Sequence, residues 1–212
     1  MYKTLAGYHI KPKARFSHWE VLLDAWIEIH EHYSVATKDA GYWYTERTNV
    51  GILAQAAWKS GFIALEEYQT KKMARHDPDA SSNGRCDLWI SGKKVSDVIE
   101  AKQQYVQLGS SRNTAVANSH LKKALADATR TVGDSGEDAV GLVFLPAYFS
   151  AQETQPRGLA KKIARSTDLL RLSTADVVAW CFPGESRAFK GRNEINYIPG
   201  LFMVASVTTS DA

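Results

Sequence analysis

An α/β domain with a central mixed β-sheet flanked by helices is the fold class that this sequence predicts. Three observations point there. Apolar residues recur at helical spacing in several separate segments. Two later segments, Val140–Leu145 (VGLVFL) and Val177–Phe182 (VVAWCF), are apolar throughout, as strands covered on both faces are. The order helix, strand, strand, strand, helix, strand suits a sheet with helices packed on it.

Each element has its own warrant. Residues 15–33 place Phe16, Trp19, Leu22, Leu23, Trp26, Ile27 and Ile29 largely on one stripe, which predicts an amphipathic helix. After Gly41, the segment Thr45-Glu46-Arg47-Thr48-Asn49 opens a second helix carrying Val50, Ile52, Leu53, Ala56, Ala57 and Trp58, closed at Gly61. Residues 62–72 form a first strand, and residues 76–84 (HDPDASSNG) are a loop by composition. Strands follow at 85–90 and 95–102. Residues 113–131 are a helix with Ala115, Val116, Leu121, Leu125 and Ala128 available for one face. The buried strand at 140–145, a basic helix at 159–172, the strand at 177–182 and a last strand at 198–207, broken by Pro199-Gly200, complete the chain.

With 212 residues and 23.5 kDa, the chain suits one domain, residues 1–212. Its hydrophobic share of 44% is enough for a core without staples. Cys86 and Cys181 alone provide neither a disulfide framework nor a zinc pattern, so reduced cysteines in a cytoplasmic protein are the simplest reading. The first residues lack the apolar stretch of a secretory signal, and no run is long enough to span a bilayer, so no membrane partner is expected. The net charge of +3 permits a polyanionic partner without demanding one. Basic clusters recur at Lys71-Lys72 with Arg75, Lys93-Lys94, Lys122-Lys123, Lys161-Lys162 with Arg165, and Arg187, Lys190 and Arg192. Each one alone reads as solvated surface.

The chemistry concentrates between Gly84 and Gln103 (GRCDLWISGKKVSDVIEAKQ), where acids interrupt two short apolar runs. Glu100 and Lys102 sit two apart on a strand and so project from one side, roughly 6–7 Å from each other. Such a triplet is cheap, arising by chance roughly once per chain of this size. In isolation, an ordinary ion pair at a strand end is the better explanation of it. A buried carboxylate, however, needs a partner or a metal. Asp87 lies in the preceding apolar run and supplies a second acid. Sharing one cation would require the two carboxylates to lie opposite each other, hence a turn centred on Lys93-Lys94. A tight turn at Ser91-Gly92 would instead set Asp87 opposite Ser96 and carry Glu100 roughly 13 Å along the strand.

The helix opening at Glu46, the strand after it, GRCDLWI, VSDVIEAKQ, the next helix and VGLVFL together resemble the PD-(D/E)xK nuclease superfamily. The resemblance implies a restriction-endonuclease-like core over about residues 44–148. Residues 1–43 would be an N-terminal helical extension, and residues 149–212 a C-terminal embellishment of strands and a helix. It implies that Asp87 and Glu100 bind a catalytic Mg²⁺, for which Mn²⁺ can substitute. Lys102 would orient the attacking water and offset charge on the phosphate, and Glu46 would complete the metal shell. Gln103 would lie near substrate. The motif's proline is replaced by Cys86. A literal Pro78-Asp79 occurs upstream, but Asp79 falls in a segment without strand character and is set aside.

Weaker signals surround this set. His30 and His32 are two apart, which does not place them on one helix face. Glu66 or Glu67 could replace Glu46 as the additional acid. Trp19, Trp26, Trp58, Trp89 and Trp180 stand in apolar contexts and read as core, whereas Tyr42-Trp43-Tyr44 suits substrate contact or a domain interface, with Tyr44 the chosen candidate. Lys122 and Lys123 could meet phosphates or simply face solvent. No glycine-rich phosphate loop and no Ser or Cys nucleophile arrangement is evident.

These readings lead to a Mg²⁺-dependent endonuclease hydrolysing phosphodiester bonds, with DNA favoured over RNA as partner. Through the resemblance, a homodimer is compatible with cutting both strands. Two alternatives stay open: a non-catalytic nucleic-acid-binding or assembly protein on the same fold, and an RNA-directed nuclease.

Overall fold

The computed structural model describes residues 3–12, 15–73, 81–92, 94–133, 135–150, 158–191 and 195–208. In chain order the elements are β1 (Leu5–Ile10), α1 (Trp19–Thr37), α2 (Glu46–Lys59), β2 (Ile63–Met73), β3 (Ser81–Gly92), β4 (Val95–Gln103), β5 (Val106–Gln107), α3 (Asn113–Val132), β6 (Asp138–Ser150), α4 (Leu159–Arg171), β7 (Val177–Phe182) and β8 (Asn196–Thr208). Short 3₁₀ turns precede α2 at Gly41–Trp43 and follow β7 at Glu185–Ala188.

The strands form one eight-stranded mixed sheet in the order β1-β7-β8-β6-β4-β3-β2, with β5 added alongside β6. The β4–β6 pair is parallel, because α3 carries the chain across one face between them. All pairs along the main path other than β4–β6 are antiparallel. Helices α1 and α2 cover one face through Trp19, Leu23, Trp26, Leu53 and Ala57, packed on Ile99, Leu142, Phe144 and Met203. Helices α3 and α4 cover the other through Leu121, Ala128 and Ile163, packed on Val98, Val143, Leu145 and Val204. The α/β class with a mixed sheet is therefore the observed architecture. Among the described residues no helix is long and apolar enough to cross a membrane.

Several local expectations need correction. The N-terminal extension is not purely helical, since Leu5–Ile10 forms edge strand β1 on β7. Its half-buried residues give only a weak strand signal. Strand β3 starts at Ser81, so the tail of the presumed loop 76–84 pairs with β2 as far as Met73↔Ser81. Hairpin pairing overrides the loop-like composition of those residues. Trp58 is not core: it is 57% exposed on the outer face of α2. The buried stripe of α3 is Ala117, Leu121, Ala124, Ala128 and Val132, while Ala115 faces solvent. The C-terminal third supplies β7 and β8, and β8 lies inside the sheet between β6 and β7. Asp79, Arg75, Lys93 and Arg192 lie outside the described residues.

Candidate functional site at the fork of two strands

Strands β3 and β4 form a hairpin closed by Gly92↔Val95 and paired back to Leu88↔Ile99. This register is the one that a shared Asp87–Glu100 site requires, because its next pair would oppose those two residues. The ladder stops there. Strand β4 continues beside β6, β3 stays with β2, and the two diverge. At the fork the Ala101 amide donates to Asp87 Oδ2 at 2.8 Å, so a side-chain oxygen satisfies an amide of β4. Across β3, Glu67 sits at a φ of 52°, a left-handed conformation that marks the same irregularity.

Glu100 is only 3% exposed on the α3 side of the sheet. Its Oε1 accepts from Lys72 Nζ at 2.6 Å and from Thr131 Oγ1 at 2.8 Å. Burial pushes its carboxyl above the usual range and the neighbouring Asp87 adds to this, while the Lys72 and Thr131 hydrogen bonds oppose it. Lys102 points along the same side of β4. Its Nζ donates to Ala101 O at 2.8 Å and lies 3.4 Å from Asp127 of α3, which also pairs with Arg130 at 2.7 Å.

Glu46 opens α2, where Thr45 caps the helix by accepting from the Thr48 amide at 3.2 Å. Its carboxyl is raised by burial and by the charges of Asp87 and Glu100, against the pull of Lys102 and the Gln103 amide. The electrostatic reach of Glu46 therefore includes all three residues of the fork. Glu66 and Glu67 turn elsewhere. Glu67 pairs with Arg47 and Arg85, each at 3.1 Å, and Glu66 is exposed.

The other sequence-derived residues separate. Gln103 is held by Asn49, whose Nδ2 donates to Gln103 Oε1 at 2.8 Å while also reaching the Tyr42 and Thr45 carbonyls. Lys122 and Lys123 stand on the solvent face of α3. Tyr44 donates to Asp39 at 2.5 Å and lines an open cavity of about 700 Å³ with Trp43, Thr45, Tyr105, Tyr148 and Ile198. Tyr105 donates to the Trp43 carbonyl and ties the chain after β4 to the segment before α2. His30 is buried between Trp26 and Tyr42, whereas His32 is exposed, so the two do not meet.

Nothing in the sequence marks Lys72, Thr131 or Asp127 as site residues. Lys72 reads there as surface charge beside Lys71, yet only Lys71 is exposed. Nothing local marks Thr131 or Asp127, whose role depends on where α3 crosses the sheet.

Among the described residues no three His, Cys, Asp or Glu side chains converge as a metal cluster. What the fork offers is a carboxylate pair, with Asp87 Oδ1 and Glu100 Oε2 free of hydrogen bonds among the described residues. Two carboxylates are oxygen donors of the kind that a hard cation such as magnesium takes, alongside waters of its own. The donor set fits the implied ion. Compared with protein-family models, curated proteins and solved structures, the chain matches none.

Proposed function

We propose that this chain is a metal-dependent nuclease that hydrolyses phosphodiester bonds of DNA, on a restriction-endonuclease-like core. One observation carries the reading: the β3–β4 fork brings Asp87 and Glu100 to adjoining register positions, with Lys102 and Glu46 within their field. Asp87 and Glu100 would hold Mg²⁺ or Mn²⁺, and Glu46 would complete the shell. An ion held there would supply polarisation of a phosphoryl oxygen and a more acidic bound water.

The protein's own groups do the rest. Lys102, steadied by Asp127, offsets the charge that builds on the phosphate. Glu46, half-buried at the start of α2, would meet the ion directly or through one of its waters. The cavity beginning at Tyr44 and Trp43, next in sequence to Glu46, provides aromatic faces on which bases can stack. Exposed Lys122 and Lys123 supply phosphate contacts. Cutting both strands would call for two copies related by a two-fold axis, and the two unpaired cysteines suit a reducing cytoplasm.

The test is cleavage of circular plasmid and single-stranded DNA with Mg²⁺ or Mn²⁺, beside EDTA and a folded Asp87→Ala variant. Metal-dependent cutting that falls by about 100-fold or more in the variant is the expected result. Binding without cutting would replace this reading with the non-catalytic one. Faster cutting of a matched RNA would replace the substrate.

A further inference from the structure

Lys72 belongs to β2, an edge strand of the sheet, and β3 separates it from Glu100 on β4. Its stem must cross β3 to reach that carboxylate. Register sets Lys72 opposite Ser82 and Thr70 opposite Gly84, so the lysine leans two positions along β3 and passes over the glycine. A Cβ at residue 84 would stand 2.9 Å from Lys72 Cγ and Cδ and 3.0 Å from Cε. A side chain there would have to displace the lysine stem from this lane. Gly84 lies at no positive φ, so its lack of a side chain answers to this close approach and not to a turn.

The lane leads to a closed pair. The Lys72 side chain is 17% exposed and that of Glu100 is 4% exposed. A buried carboxylate beside a second one stays charged only with a cation close by. A lysine ammonium is a compact charge on a flexible stem, suited to occupying such a place and leaving it.

Resting on the metal-centre reading above, we propose that Lys72 is the resident cation of this centre. Its ammonium holds Glu100 when no divalent ion is bound and gives way when one arrives. Lys72 thereby sets the affinity of the site for divalent ions and keeps the ion-free fold intact. Gly84 is the positioning residue that makes this reach available.

Mn²⁺ titration calorimetry and thermal melts on wild type, Lys72→Met and Gly84→Ala test the proposal. Lys72→Met removes the charge and keeps an apolar stem, while Gly84→Ala retains the lysine and obstructs its path. Both variants are expected to bind Mn²⁺ on the order of ten-fold more tightly, the scale of one neighbouring charge. Both should melt lower than wild type in EDTA and gain more from Mn²⁺. If Lys72→Met does not fold without metal, Gly84→Ala alone decides. Mn²⁺ binding in wild type with an unchanged or weaker affinity in the variants overturns the proposal by itself. No Mn²⁺ binding to wild type overturns the metal reading and this proposal together.

Discussion

His30 illustrates how much a single buried side chain can impose. It lies between Trp26 and Tyr42, with ring centroids 4.7 and 5.8 Å away, and its Nε2 has no hydrogen-bond partner. Burial pushes its pKa from 6.5 down to about 3. The unfolded chain therefore takes up a proton near 6.5 that the folded chain refuses until about 3. The sign follows: stability is full above 6.5 and is lost as pH falls through that window. Urea melts between pH 7 and 4 should show a slope steeper in wild type than in His30→Leu by up to one proton. Equal slopes would sink the assignment. In the sequence, His30 reads only as a histidine that does not share a helix face with His32. Its partners Trp26 and Tyr42 stand on α1 and in the turn before α2, and only packing brings the latter to it.

At the scale of elements, α3 is the one whose position matters most to the fork. It contributes Thr131 to Glu100 and Asp127 to Lys102. Its distance from the sheet is fixed at Gly141 of β6, the parallel partner of Glu100. A Cβ there would stand 2.5 Å from the Leu125 amide nitrogen and 2.7 Å from its Cα. Backbone cannot move aside as a side chain can, so Gly141→Ala must lift the helix. The cost should be about 1–3 kcal/mol in urea unfolding, with weaker amide protection along α3 in hydrogen exchange. An unchanged midpoint would show that the helix has slack. The helix is legible from its period, and so are Leu121 and Ala128 of its inward face, whereas Ala117 and Ala124 are not. Ala117, Ala124 and Ala128 form the buried stripe because small residues allow this close approach, and hydrophobicity alone does not distinguish them from Ala115.

The whole molecule depends on one continuous sheet. Strand β8 pairs with β6 on one side and β7 on the other, and its Leu201, Phe202, Met203, Val204 and Ala205 are fully buried. Although distant in sequence from the fork, β8 backs the strand that supports β4. Deleting residues 196–212 should leave β6 with an apolar open edge and disconnect the β1–β7 pair. The expected outcome is loss of cooperative thermal unfolding by circular dichroism. A soluble 1–195 fragment that melts cooperatively would instead make the C-terminal strand dispensable.

Periodicity and punctuation along the chain determine the helices α1 to α4, the strands from β2 to β4 and from β6 to β8, the α/β class and a hairpin between Asp87 and Glu100, whose register the structure decides by closing it at Gly92↔Val95. These features are local, because turn chemistry and the alternation of apolar residues act over a few positions. Tertiary structure alone decided that β1 joins β7, that β8 lies inside the sheet, that Trp58 faces water, and that Lys72 crosses β3 over Gly84 to meet Glu100. Each of these is a choice of partner between residues far apart in sequence. Such choices are settled by which surfaces bury each other and where a missing side chain leaves a path, and no local pattern records them.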